Sequence, residues 1–403
     1  LVMVMVLLPF ATIGDRIGHR NLYQIGQVLF FFASAAALLV NSFTVLMIVR
    51  ALQALGAGIA LSVSAAMLRS IYPAKSLGGG LGINSVIVAT SYAVAPTLGG
   101  FIVEHIDWRW VFVAAAPLAL LSLVIGRYLP DPKPREGRVD WVSGLWNAAT
   151  VALLIGGLTI ATHDRLVLGG AAVLAGIASA YFLYRRERGM ERPVLPVDLM
   201  RKPSIGLSVV AAIAAFIGSA MLIVGLPFRF EQGMGYSPDE VGLLIAPFPL
   251  TMLFVAPAAG WLSDRVSPSA MGVVGMAIAL IGLLLLAFMP SDPGAFGIAW
   301  RLSLCALGYG LFLAPNSRLM IGAAPVDRSA AAGGLLSTAR LFGQSTGAAV
   351  VGVILAIGMG LGPAPLLVSA GFAVLAAICS AYRFRATGAN LVRRPRHPDT
   401  VRP

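Results

Sequence analysis

The chain has 403 residues, 58% of them hydrophobic and 11% charged, with a formal net charge of +12. Soluble globular proteins carry about a quarter charged residues, and disordered chains lack apolar content, so both classes are excluded and an all-helical membrane protein is expected. Most cations sit in short loops between apolar runs, where they read as topology signals rather than a nucleic-acid surface.

A hydrocarbon core of about 30 Å takes roughly 20 helical residues to cross. In chain order, Leu1 to Phe10 are apolar, lack an initiator methionine and run straight into the turn at Asp15 and Arg16, so the chain is expected to begin within a helix. No basic n-region or cleavage site marks a signal peptide. The first span and part of the second are expected upstream. Uncharged stretches then predict twelve full spans over 22–41, 43–68, 77–103, 109–129, 141–162, 166–184, 204–228, 239–262, 270–290, 299–322, 329–357 and 364–382. The last two are cut from one charge-free run at Gly358, Gly360, Gly362 and Pro363, because glycine and proline end helices.

Alternate loops, with the span ends beside them, hold 23 and 4 of the lysines and arginines, and only Arg50 and Arg340 lie deeper within spans. Basic residues are retained on the cytoplasmic side, which places there the first turn, the 185–202 loop and a tail counted with six arginines. All 17 acidic residues fall in loops or at helix ends, so no midplane proton acceptor is visible. Glu231 is the nearest substitute, although beside Tyr236 and Pro238 it reads as an exposed loop charge.

The turn at Asp15 and Arg16 recurs at Asp264 and Arg265, 249 residues later, and the same offset carries Pro96 to Ser345 in a second glycine-rich stretch. Two related halves follow, with the spans of 141–184 as an inserted pair. The expected division is an N-terminal bundle over 1–130, a linker with two extra spans over 131–203, a six-span bundle over 204–385 and a basic tail over 386–403.

Several polar residues interrupt this apolar background. Gly14, Asp15, Arg16, Gly18 and Arg20 form the first turn, echoed by Gly260, Asp264 and Arg265. Such a pair at a helix junction can latch one conformation by pairing with the opposite half, or serve only as helix cap and topology marker. Arg50 lies seven residues beyond Phe43, about 10 Å below the outer membrane face. It needs a partner or water, unless it snorkels outward; Gln53 shares its face. Pro96 bends a span in which Gly99 and Gly100 admit a close neighbour, either for movement or for plain packing. Arg340, about 16 Å into its span, has Gln344 one turn on and either faces the cavity or locks two helices through backbone carbonyls.

On these residues, together with Asp107, Trp108, Arg109, Trp110, Phe112 and Pro117 and with Gly308, Tyr309, Gly310, Pro315 and Asn316, the sequence resembles the major facilitator superfamily, and within it the fourteen-span drug:proton antiporters. Alanine stands at 11 and 95 where that pattern has glycine. The resemblance implies the major facilitator fold, two pseudo-repeated bundles plus two extra central spans, in the inner membrane with a cytoplasmic C-terminus. It also implies export of small lipophilic compounds against inward proton flow by a monomer without a cofactor. Arg50, Gln53 and Arg340 would couple protons, the two acidic-basic turns would gate, and Pro96, Gly99 and Gly100 would form the antiporter motif. Tyr92, Phe216, Met221, Tyr309, Phe312, Asn316 and Gln344 are candidates to line the cavity, against the alternative that they face lipid or pack between helices. A dedicated exporter of one metabolite and a non-transporting scaffold or sensor stay open as alternatives. Enzyme classes fail: no Lys-Ser/Thr phosphate loop is present, His19, His105, His163 and His397 lack metal-ligand spacing, and Cys305 and Cys379 lie within apolar runs.

Overall fold

The computed structural model describes the chain except residues 73–79, 81, 82, 85, 86, 89, 92–94, 96, 97, 100, 101, 104, 131–139, 162–164, 191, 192, 291, 326, 327 and 388–403. Among the described residues all regular structure is helical. Eleven helical segments there are long and apolar enough to cross a membrane. They correspond to eleven of the twelve predicted spans; the one predicted over 77–103 lies largely outside the described residues.

The first half contains α1 (Val2–Ile17), α2 (His19–Ala36), α3 (Phe43–Ile71), α4 (Trp108–Val113) and α5 (Ala116–Gly126). The inserted pair is α6 (Trp141–Ala161) and α7 (Leu166–Glu187), followed by the short α8 (Val197–Met200). The second half contains α9 (Pro203–Phe228), α10 (Pro238–Ile245), α11 (Pro247–Leu262), α12 (Pro268–Ala287), α13 (Gly294–Gly322), α14 (Ser329–Ala356) and α15 (Ala364–Thr387). Local chemistry sets the ends. Proline opens α9, α10, α11 and α12, where its missing N–H costs nothing. Ser42 caps α3 and Ser237 closes a reciprocal capping box with Glu240 on α10. The predicted division of the long apolar run holds: α14 stops before Gly358, whose φ of 77° suits glycine, and α15 resumes after Pro363.

Lipid is as apolar as the helices, so close packing of small residues replaces the hydrophobic effect between spans. In the first half, Gly26 on α2 and Gly56 on α3 face each other's backbone; a Cβ on Gly56 would lie 2.7 Å from the Gly26 carbonyl oxygen. In the second half Gly275 on α12 and Gly308 on α13 do the same, with a Cβ on Gly308 only 2.5 Å from the Gly275 carbonyl. The crossings sit at equivalent places in the two halves, Gly275 falling 249 residues after Gly26. Around the second crossing, Leu222, Phe230, Met276, Leu283, Leu302, Cys305, Tyr309, Phe312 and Cys379 form one buried cluster.

The halves meet where α14 packs on α1 and α3, with Gly334 against Leu8 and Ala11. The inserted α6 lies along this seam and touches both sides. Val151 and Ile155 pack with Val4 of α1 and with Leu341 and Phe342 of α14, and Asn147 Nδ2 donates to the Met5 carbonyl at 3.5 Å.

A second tie runs outside the spans. At the foot of the inserted pair, burial raises the Asp140 carboxyl, but hydrogen bonds from Ser143 and the Arg186 guanidinium outweigh it and hold its pKa below the ordinary value. Glu187, at the end of α7, accepts the backbone N–H groups of Val194 and Leu195 at 3.2 and 2.9 Å. The strap then enters α8, where Asp198 accepts from Arg328 at the start of α14 at 2.6 Å. This pair is partly buried, and such pairs contribute up to about 1 kcal/mol. Asp198→Arg and Arg328→Asp are each expected to speed tryptic cleavage within 185–202 by about fivefold, and the double reversal to restore the wild-type rate. Equal cleavage of all four proteins would remove the pair from the strap.

Candidate functional site

The site begins on α3. Arg50 is exposed within a largely apolar stretch of this helix, and its Nη1 donates to Gln53 Oε1 at 3.1 Å. Its guanidinium carbon also stands 5.1 Å from the centroid of the Phe112 ring on α4. Gln53 is only 3% exposed, and its Nε2 donates to Ser34 Oγ on α2 at 2.8 Å and to the Phe112 carbonyl at 3.1 Å. One carboxamide thus joins three spans and leaves the arginine at their surface. The structure brings Arg50 and Gln53 together as their spacing predicts. Ser34 and Phe112 were missed as partners; the available signals were a serine in an apolar helix and an aromatic residue at the start of the next span.

The two acidic-basic turns are held by different partners. After Asp15 and Arg16, α1 ends at Gly18, whose φ of 93° only glycine adopts readily. Asp15 Oδ1 lies 3.1 Å from His19 Nε2, and Arg20 Nη1 donates to the Arg127 carbonyl at 3.4 Å. Gly14 packs tightly on α3, since a Cβ there would meet Val63 at 2.5 Å. In the second turn Asp264 pairs with Arg318 of α13, which also donates to Ser263 Oγ at 3.0 Å. Arg265 instead stacks over Trp261, 3.9 Å from its ring centroid. The ion-pair partner of Asp264 is therefore Arg318, and both residues belong to the same half. Gly260 has open space around its Cα and plays no part in close packing.

The candidates for the cavity lining differ in burial. Phe216, Met221, Tyr309, Phe312 and Asn316 are buried inside the second half. Tyr309 Oη lies 3.5 Å from Ser369 Oγ, itself bonded to the Gly218 carbonyl at 2.8 Å. Arg340 and Gln344 stay half-buried on α14, consistent with either earlier reading. Tyr92, Pro96 and Gly100 lie outside the described residues, and no described atom comes within 4 Å of a Cβ built on Gly99.

Sequence counting also misread Arg383. It is not a tail residue: it is 1% exposed, at the end of α15. Its Nε donates to Ser269 Oγ on α12 at 3.0 Å, and its Nη1 to Ser208 Oγ on α9 at 2.5 Å and to Asn316 Oδ1 on α13 at 2.6 Å. Asn316 Nδ2 in turn donates to the Ser208 carbonyl at 3.0 Å. Four helices converge on one guanidinium.

Comparison with known proteins follows the architecture. Residues 1–184 and 208–403 match the sequence profile of the Major Facilitator Superfamily. The chain is 38% identical over 385 residues to the uncharacterized transporter YebQ of Escherichia coli, covering 94% of this chain and 84% of that one. It is 29% identical over 364 residues to the multidrug resistance protein Stp of Mycobacterium tuberculosis, covering 88% and 67%. The crystal structure of the human organic anion transporter MFSD10 superposes with a TM-score of 0.70 over 94% of this chain and 81% of that one at 16% identity, a likeness of fold.

Proposed function

The chain belongs to the Major Facilitator Superfamily, and on that premise we propose that it is a fourteen-span antiporter that exports small lipophilic compounds in exchange for protons. The observation that supports this reading best is the placement of Arg50, a cation on an apolar helix whose partners among the described residues, Gln53 and the Phe112 ring, are both neutral. A cation at such depth is costly and is kept for function. Held by neutral groups, its charge remains able to lower the proton affinity of a carboxylate that approaches it.

In this reading the bundles of 1–130 and 204–385 rock around a central cavity, and 131–203 supplies the inserted pair. The tail of 386–403 and the arginine-rich loops face the cytoplasm from the inner membrane. Arg340 shares the coupling role with Arg50 and Gln53 from the other half, and Gln344, one turn on, lines the cavity. Asp15 with Arg16, and Asp264 with Arg265 and Arg318, gate one side; Pro96, Gly99 and Gly100 let their span flex. Similarity to a multidrug resistance protein supports drug export. Each charge moved down 100 mV supplies about 2.3 kcal/mol, enough for one proton to sustain a useful gradient.

The test is dye efflux from everted vesicles while a proton gradient is imposed and then collapsed. Wild type is expected to follow the gradient. Arg50→Lys keeps the charge but loses the planar guanidinium that stacks on Phe112, and is expected to lose about tenfold or more of gradient-driven efflux at equal insertion. Equal efflux by both proteins would remove Arg50 from the coupling step.

A further inference from the structure

We propose that Phe112 is a positioning residue for Arg50, and that α4 thereby sets the direction in which the guanidinium faces. The inference rests on the antiport reading above and deepens it at the same site. Asp107 caps α4 by accepting from the Arg109 N–H at 2.8 Å, and Arg109 Nε donates to the Val40 carbonyl beyond α2 at 2.9 Å. The start of α4 is thus fastened to the neighbouring span. From that anchor Phe112 packs against Ala37, Val40 and Val49 and lays its ring against Arg50.

The same residue acts a second time through its backbone. Its carbonyl lies at the end of α4, where the helix breaks before α5, and Gln53 Nε2 donates to that oxygen. Gln53 then presents Oε1 to Arg50. One residue of α4 therefore holds the arginine directly through its ring and indirectly through Gln53. A ring attracts a guanidinium through its quadrupole and leaves the net charge intact, whereas a carboxylate would cancel it. Helix shifts of about 1–2 Å are usual in conformational switching. Such a shift of α4 against α3 alters the ring contact and the Gln53 bond together, and so changes what the cation faces. A residue that merely fills space could be replaced by any apolar side chain of similar volume; a quadrupole could not.

Phe112→Leu keeps the bulk and removes the ring, while Phe112→Tyr keeps the ring. The first readout needs no transport: the Nε–Hε resonance of Arg50 in protein with isotope-labelled arginine, assigned by its disappearance in Arg50→Lys. A ring-current shift is expected in wild type and Phe112→Tyr and its loss in Phe112→Leu; identical shifts in wild type and Phe112→Leu overturn the proposal. The second is the pH profile of gradient-driven efflux. The midpoint is expected to move by about half a pH unit in Phe112→Leu, in line with the loss of one cation–π contact at an exposed cation, and to return in Phe112→Tyr. An unmoved midpoint in Phe112→Leu also overturns it. A wild type without gradient-driven efflux would instead sink the antiport reading, and the resonance alone would then decide whether Phe112 positions Arg50.

Discussion

Gly308→Leu is expected to abolish accumulation of the folded protein. A Cβ at this position would sit 2.3 Å from the Ala279 backbone nitrogen and 2.5 Å from the Gly275 carbonyl oxygen, and neither atom can swing aside as a side-chain tip can. Accommodation means separating α12 from α13 along the crossing around which the buried cluster of the second half is built. Overpacking against side chains costs about 1–3 kcal/mol. Against backbone the cost exceeds that range, and the loss of packing along the crossing adds to it, because close van der Waals contact is what joins spans in lipid. Size-exclusion profiles of detergent-solubilised protein would show aggregate in place of the monodisperse peak. Gly260→Leu is the control, since the space around Gly260 is open. A monodisperse Gly308→Leu protein of normal melting temperature would refute the crossing.

Arg383→Ala is expected to destabilise the second half by about 3 kcal/mol. The substitution leaves the hydroxyls of Ser208 and Ser269 and the side-chain oxygen of Asn316 without their donor, in a hole the size of a guanidinium. Each hydrogen bond between membrane helices contributes about 0.6 to 1.7 kcal/mol, and three lost at one node bring the total to this range. Arg385→Ala, two residues on at an exposed position, is expected to change nothing measurable. Thermal unfolding in detergent checks both. Equal midpoints for the two variants would return Arg383 to the tail. Arg383→Lys separates charge from geometry: an ammonium cannot span partners on three other helices with a planar fork, so only partial recovery is expected.

The contrast between Arg383 and Arg50 shows what the sequence could and could not convey. Span positions were legible because crossing a bilayer imposes a length of about 20 residues and because glycine and proline mark the ends, as at Gly358 and Pro363. Arg50 and Gln53 were legible because three residues along a helix share a face. Their partners Ser34 and Phe112 come from other spans, and no periodicity within one helix encodes such a contact. Counting basic residues by side assigned Arg383 and Arg318 to loops, because an arginine in the last turns of a span reads the same whether it turns outward or inward. Tyr309, Phe312 and Met221, which are fully buried, show the same limit. Their helices are apolar on every side, so the sequence tells that these residues are in the membrane but not which way they point.

The burial of both cysteines has a practical consequence. Cys305 lies against Gly282 at the α12–α13 packing and Cys379 is enclosed among the helices of the second half. Maleimides react with thiolates that water can reach, and a thiol packed among apolar side chains offers none. These two thiols are thus expected to be silent towards thiol labels. A single cysteine introduced along α1, α3 or α14 would report its own accessibility through each step of a transport cycle, without first stripping the native sulfurs from the fold.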